Sequence, residues 1–473
     1  MQEPVRHSPS QVNKMKKQEK VPDLPRRDFL KGGSFAALMM LMGGVEIRAQ
    51  EKSQEAGPVT EEKPLGAAVK CALIGCGNWG REILKTLARL PKAQVAAICD
   101  QYEPFLRRAK ESAPKADSYT DYRKILENKE ILAVIIATPS HLHREITLAA
   151  LQAGKHVYCE APLASSIEDA RAIAQAGKSS FKQIFQVGHQ MRSDPQRHYL
   201  LQFIRAGAMG DTVMARSQWH KKQSWRFTSP NPAREKEINW RLNKELSIGL
   251  IGEIGIHQLD AASWFLMSPP LAVTGFGSVV HWKDGRAVPD TVQAVFEYPG
   301  GVNLTYDCTL ANSFDADYEM YYGPDAAIML RDNKAWMFKE VDAPLLGWEV
   351  YARKDSFYKE TGIYLVANAT KLGIQGDSPL AESMYTGTPL YYALEAFMTN
   401  TEALHSAVED FRANFDEKDT KALKEYLASI IKTLLPAAGY QEGFEAAVTA
   451  IKANEAILSG QRIVFQKDWH ELT

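Results

Sequence analysis

Gly75-Cys76-Gly77-Asn78-Trp79-Gly80 sets three glycines at the spacing that holds a phosphate group against a backbone. The run follows the apolar, β-prone segment Val69–Ile74 and opens a helical pattern over residues 81–90, where Ile83, Leu84 and Leu87 share one face. In that context each glycine has its own task. Gly75 permits a tight turn, Gly77 lets the backbone approach a pyrophosphate, and Gly80 lets the helix pack close to the strand. Asn78 and Trp79 then lie at a helix N-terminus that faces the phosphates. A second β-like run, residues 94–99, ends at Asp100, where a carboxylate can bond a ribose 2′-hydroxyl. It would also repel a 2′-phosphate, which favours NAD over NADP. Arg107 and Arg108 keep NADP open.

The elements that follow must carry the rest of such a site. Residues 131–137 form a continuous apolar run, as a buried parallel strand does. It leads into Thr138-Pro139-Ser140-His141-Leu142-His143, then a helical pattern over 144–153 closed by Gly154, then a strand over 155–160. This alternation predicts a doubly wound α/β fold, with ligands at the carboxyl ends of its strands. That places Thr138, Pro139, His141, Glu160 and Pro162 near the nicotinamide end. His141 and His143 are two apart and point apart in an extended segment, so they read as polar loop contacts and not as metal ligands. Further β-like runs cover 212–219, 271–282, 291–298 and 302–310, and the aromatic-rich stretch 320–359 reads as sheet and loop core. Amphipathic helices are expected over 391–409, 420–435 and 442–459, the last stopped by Ser459-Gly460.

The bulk numbers fit this. The chain has 473 residues, 45% hydrophobic and 24% charged, enough for two domains with a sizeable core. The formal net charge of -1 gives no basic excess, which argues against a nucleic-acid binder; Lys14, Lys16 and Lys17 belong to the N-terminal extension. The cysteines are Cys71, Cys76, Cys99, Cys159 and Cys308, an odd number without CxxC spacing, so no disulfide framework is expected. Residues 1–65 read as signal and linker. Arg26-Arg27-Asp28-Phe29-Leu30-Lys31 is a twin-arginine pattern, although Pro25 stands where Ser or Thr is commoner. The apolar stretch 34–44 after it is too short to span a membrane. The expectation is export of a folded protein to a bacterial periplasm. Free NAD is scarce there, so the cofactor should be tightly held. The expected division is 1–65 signal and linker, 66–190 Rossmann NAD-binding domain, and 191–473 substrate-binding and oligomerisation domain.

With the glycine loop, Asp100, ATPSHLH, GKHVYCEAPLA (154–164), GHQMR (188–192) and GEIGIHQLD (252–260), the chain resembles the Gfo/Idh/MocA family: glucose-fructose oxidoreductase, inositol dehydrogenase and relatives. The matches span most of the chain after residue 68 and specify no substrate. The resemblance implies a Rossmann domain, then an α/β domain with a large, open, mainly antiparallel sheet. It also implies dimers or tetramers formed through that sheet, and a last helix near the Rossmann domain. One position departs. Where the family usually has Glu-Lys-Pro, with the lysine beside the nicotinamide and the reacting hydroxyl, this chain has Glu160-Ala161-Pro162.

Without that lysine, a hydride transfer from an alcohol needs another base. Glu253 and His257 are four apart, on one face if helical, where the family usually has Asp and His at the substrate. His257 is suited to general-base work near neutrality, and Glu253 to orienting it or acting as an acid or base. His189, Gln190 and Arg192 could hold a polyhydroxylated substrate; alternatively Arg192 pairs with a carboxylate to join the domains. Trp219, Lys221 and Trp225, with His220, Lys222 and Arg226, form an aromatic and basic cluster that could receive a sugar. Asp260 would support His257 or end a helical turn. HExxH is absent, and Glu-x-x-x-His alone defines no metal site, so none is expected. Three readings stand. The first is an NAD-dependent oxidoreductase acting on a secondary hydroxyl of a sugar or glycoside. The second is an NAD-dependent glycosidase with transient redox and no net oxidation. The third is an NAD- and sugar-binding protein weakened by Ala161.

Overall fold

The computed structural model describes residues 68–331, 334–347, 349, 354–357, 360–365, 387–416 and 418–472. The twin-arginine segment and its linker lie outside the described residues. Contacts divide the chain into Met1–Ser53 with Leu345–Tyr351, and Gln54–Pro344 with Ala352–Thr473. In the first unit, a turn is closed by the Glu349 N–H on the Leu346 carbonyl at 3.0 Å. Both sheets belong to the second unit.

The first sheet is parallel, with strand order β3-β2-β1-β4-β5-β6. In chain order its parts are β1 (Val69–Ile74), α1 (Asn78–Leu87), β2 (Ala93–Cys99), α2 (Glu103–Ser112), β3 (Asp117–Tyr119), α3 (Arg123–Glu127), β4 (Ala133–Ile136), α4 (His143–Gln152), β5 (His156–Cys159), α5 (Ile167–Ser179) and β6 (Phe185–Val187). Every residue of β4 and β5 is buried, because helices cover both faces of the sheet. The strand order reverses between β1 and β4, which opens a crevice beyond their carboxyl ends. Helix α1 starts at Asn78, three residues before the sequence pattern suggests. Gly80 is a poor helix former, yet it lies inside the helix because nothing larger fits there: a Cβ would sit 2.0 Å from the Gly75 carbonyl oxygen.

The second sheet has ten strands and is antiparallel except where β7 and β10 run parallel. The chain passes α6 (Pro195–Arg205), β7 (Met214–His220), α7 (Pro232–Ile238), α8 (Ile256–Phe265), β8 (Ala272–Ser278), β9 (Thr291–Glu297), β10 (Asn303–Thr309), β11 (Asp317–Tyr322), β12 (Ala326–Arg331), β13 (Lys334–Lys339), β14 (Lys354–Phe357) and β15 (Glu360–Leu365). Strands β9 and β10 alternate buried and exposed residues, so one face of the sheet packs and the other is open. Then come α9 (Pro389–Asn414), α10 (Thr420–Ile431), α11 (Tyr440–Ser459) and the edge strand β16 (Ile463–Val464). Gly460, at φ +65°, ends α11 as its place after Ser459 suggests.

Two of these late helices return to the first sheet. Leu390, Leu394, Phe397 and Met398 of α9 share a core with Cys71, Leu73 and Ile83, and Phe444, Ala447 and Val448 of α11 share one with Val157, Ile173 and Val187. The other end of α11 lies on the second sheet, where Ile457 presses on Gly275 and Gly277 of β8. Helix α11 therefore fixes the carboxyl edge of the first sheet against α8 and the second sheet. All five cysteines are buried and unpaired.

Candidate active site

The glycine loop divides the labour in the way its spacing suggests. Gly75 has φ +102°, and a Cβ there would meet the Ala137 backbone at 2.5 Å. Gly77 is different: a Cβ would have nothing within 4 Å. The space beside Gly77 is open to a ligand, and the protein's own packing does not demand the glycine. Helix α1 has no side-chain cap and no acidic residue in its first turn, so its N-terminal N–H groups remain available to an anion. Arg81 places Nη2 on Asn78 Oδ1 at 2.7 Å, while its buried Nη1 has no hydrogen-bond partner among the described residues. Asp100 receives the Cys76 N–H on one oxygen and the Tyr102 N–H on the other, each at 2.7 Å. Burial raises its pKa, opposed by those two N–H groups and by Arg234. A carboxylate oxygen accepts more than one hydrogen bond, so Asp100 keeps capacity for a ribose hydroxyl. These residues fit a dinucleotide.

Further along the crevice, buried polar atoms without a hydrogen-bond partner among the described residues gather past the ends of β4, β5 and β6: Thr138 Oγ1, His141 Nδ1, Glu160 Oε1 and both nitrogens of His189. Such atoms are costly unless something completes them. His143, buried, clamps the loops together, with Nε2 and Nδ1 each 2.9 Å from the carbonyls of Thr138 and Pro162. Burial holds its imidazole down at about 4, against the pull of those carbonyls. Pro139 caps the short turn Ser140–Leu142, which carries His141 onto the ring of Trp240. Burial pushes Glu160 up to about 7, although the Trp79 indole and the Ala161 N–H favour its anion. Its carboxylate leaves no room for a side chain at Gly188, where a Cβ would lie 2.4 Å from Oε2. Ala161 turns its methyl to the apolar cluster of Ile248, Ile256, Ala446 and Ala450.

Glu253 and His257 have different partners. Residues Ile251–Gly255 form a π-turn that runs into α8. Glu253 is held by the hydroxyl of Ser140, donating at 3.2 Å, by that of Ser247 at 3.3 Å, and by Arg241 at 3.7 Å. Burial raises its pKa, with Arg241 and then the serine hydroxyls pulling it down. His257 faces His189 edge-on at 5.9 Å and stays partly open to solvent. Burial first, then His189, lowers its pKa to about 4, so the imidazole is neutral near pH 7.

Asp260 joins Arg192 through Nε at 2.9 Å and Nη2 at 2.8 Å, and lies 3.8 Å from Nδ1 of His189. Arg192 thus takes the pairing role that the sequence left open, tying the end of β6 to α8. His189 sits between this pair and His257. Gln190 opens the half-buried turn Gln190–Ser193. Trp219 lies in β7, whose Gln218 carbonyl accepts from Gln258 of α8 at 2.8 Å. His220 is spent on Asp307 at 2.6 Å, and Lys221 is exposed beyond it. Trp225 lies against Arg241. Ser140, Ser247, Arg241 and Arg81 are the contributors that sequence reasoning passed over. Ser140 sat inside a motif already noted, but the others lie at positions without periodic signal.

Residues 69–189 match the sequence model of the Gfo/Idh/MocA oxidoreductase family's NAD-binding Rossmann fold, and residues 198–323 match that of its C-terminal domain, together more than half of the chain. The protein belongs to the Gfo/Idh/MocA oxidoreductase family. It is 33% identical over 151 residues to a levoglucosan dehydrogenase of Pseudarthrobacter phenanthrenivorans, covering 32% of this chain and 37% of that one. It is 24% identical over 234 residues to a glycosyl hydrolase family 109 protein of Shewanella baltica, covering 46% and 50%. The chain therefore spans well under two thirds of these relatives by sequence. The fold is similar over a greater length to a levoglucosan dehydrogenase in complex with NADH and levoglucosan: TM-score 0.59, 19% identity, 84% of this chain and 99% of that one.

Proposed function

We propose that this protein is an NAD-dependent dehydrogenase for a secondary hydroxyl of a sugar or glycoside. The carrying observation is the group of unpartnered buried polar atoms past β4, β5 and β6, on the same crevice as the open space at Gly77. NAD, when bound, supplies the hydride acceptor. His257 takes the hydroxyl proton, because it is neutral, partly open and without the family lysine as a rival. Glu253 positions the substrate with Ser140 and Arg241, and His189, backed by Asp260 and Arg192, fixes the ring of His257. Gln190, Trp219 and Trp225 are proposed to line the substrate side. Export by the twin-arginine route and a dimeric or tetrameric assembly complete the reading.

The test begins with protein purified without added nucleotide, then denatured, with any released cofactor identified by mass spectrometry. Stoichiometric NAD(H) agrees with a tightly held cofactor; failure to bind NAD(H) at all sinks the proposal. NADH formation is then followed across a panel of sugars and glycosides. The relative named as a glycosyl hydrolase supports a second reading, glycoside cleavage with transient oxidation. Product analysis separates the two: a ketosugar for the first, a free reducing sugar without net NADH for the second. Fractionation of cells carrying Arg26→Lys and Arg27→Lys tests export, since loss of the protein from the periplasm is the expected result.

A further inference from the structure

Arg241 is poorly accounted for by its role beside Glu253. It belongs to the short turn Trp240–Leu242, and its guanidinium lies 4.5 Å from the ring centre of Trp240 and 6.0 Å from that of Trp225. Its approach to Glu253, at 3.7 Å, is too long for a hydrogen bond, and no other residue among those described accepts from it. The two charges differ in exposure. The Glu253 side chain is 2% exposed and that of Arg241 41%, so a buried carboxylate meets a cationic side chain that reaches solvent. A guanidinium set against an aromatic ring keeps its N–H donors in its own plane, free to point past the ring edge.

The wall around it is held deliberately. Trp225 has φ +63°, a left-handed conformation unusual for a bulky side chain. Its neighbours are pinned on both sides. Arg286 Nη2 donates to the Ser224 carbonyl at 2.6 Å, and Asn239 exchanges two hydrogen bonds with the backbone of Phe227, each at 2.8 Å. A strained residue persists only where its surroundings over-determine it, and such residues concentrate where ligands bind. The wall is continuous with the site, because His141 packs on Trp240 and Ser140 donates to Glu253.

We propose that Arg241 is the anion-recognition residue of the substrate site, and that the substrate carries a carboxylate, as a uronic acid or its glycoside does. This rests on the reading of the ligand as a sugar. Neutral hydroxyls need no permanent cation. A carboxylate takes two parallel N–H bonds from the open edge of a guanidinium, and the half-buried ring of Trp225 beside it can meet the C–H groups of a sugar ring. Glu253 is the counter-charge on the inner edge.

The experiment measures binding to the full protein with NAD by calorimetry. The ligands are matched methyl glycosides of glucose and glucuronic acid, galactose and galacturonic acid, and mannose and mannuronic acid. The expected result is at least one pair in which the acid binds about 10- to 100-fold more tightly than its neutral partner. Arg241→Gln should weaken the acid about 10- to 100-fold more than its neutral partner, so that the preference disappears, and Arg241→Lys should retain part of it. If no acid binds better than its partner, or if Arg241→Gln weakens both members of a pair equally, the proposal is overturned and Arg241 is only the counter-ion of Glu253. NADH formation is read separately: an Arg241-dependent acid that binds but is never oxidised would remove the dehydrogenase reading and leave this one standing.

Discussion

His257 and Glu160 are both shifted by burial, but to opposite ends. Burial disfavours a charge of either sign, so it lowers the imidazole to about 4 and raises the carboxyl to about 7. For catalysis, His257 is ready to accept a proton at any pH well above 4. His257→Asn is expected to lower kcat by a factor of ~10²–10⁴ with a smaller change in KM, read by NADH formation. In the wild type the acid limb of kcat/KM should fall near pH 4; a limb near 6.5 would point to another base. For stability, the folded state holds a proton on Glu160 between pH 4.5 and 7 that the unfolded chain has released. Stability from this group therefore falls as pH rises through that window, by about 3 kcal/mol in all. His143 and His257, held near 4, act oppositely and favour folding as pH rises from 4 to 6.5. The Glu160 effect is isolated by difference: Glu160→Gln, stripped of nucleotide, should gain stability over wild type at pH 8 and not at pH 4.5, measured by denaturant titration.

At the scale of elements, two glycines of one motif make opposite predictions. Gly77 opens onto empty space and its φ of -62° is ordinary, so Gly77→Ala should melt like the wild type yet bind NAD at least about tenfold more weakly, because the methyl enters the ligand's space. Gly80→Ala drives a methyl into the Gly75 carbonyl and must push α1 off β1, so it should lose about 2 kcal/mol or more as well as binding. Thermal melts and calorimetry on the two variants check both. The π-turn before α8 is a second case in which local geometry decides chemistry. Within it Glu253 is held by Ser140 and Ser247, while His257 just beyond it faces His189.

For the whole molecule, the last dozen residues join both sheets. Strand β16 pairs with β8, and Arg462 makes two 2.7 Å bonds to Glu297 at the edge of the second sheet. Arg171, on α5 of the first sheet, donates to the carbonyls of Asp468, Trp469 and Glu471, each at 3.3 Å. Surface ion pairs contribute little, but Trp469 also packs against the core of the first sheet and receives the Lys452 ammonium on its ring at 4.1 Å. Truncation after Gly460 should lower Tm by ~2–6 °C, seen by differential scanning calorimetry. An unchanged Tm would mean that α11 holds the two sheets together without the terminal segment.

What could be read from the sequence was local or strictly periodic. The glycine loop, Asp100 at the end of β2, the buried runs of β4 and β5 and the stop at Gly460 each depend on a few neighbouring residues, and the physics of a tight turn or a doubly covered strand is written into them. The strand order reversal that makes the crevice followed from the alternation of strands and helices, by family resemblance as much as by pattern. Pairings between distant residues were not legible. Nothing in the spacing shows that Arg192 meets Asp260, that Ser140 reaches Glu253 across 113 positions, or that Arg241 rests between two tryptophans with an open edge. Those contacts form only when α11 carries α8 and the second sheet onto the ends of β4, β5 and β6. Local spacing and periodicity were enough to specify a dinucleotide crevice. Tertiary packing decided which side chains lie beside it, which of them lose their charge to burial, and which are left open for a substrate.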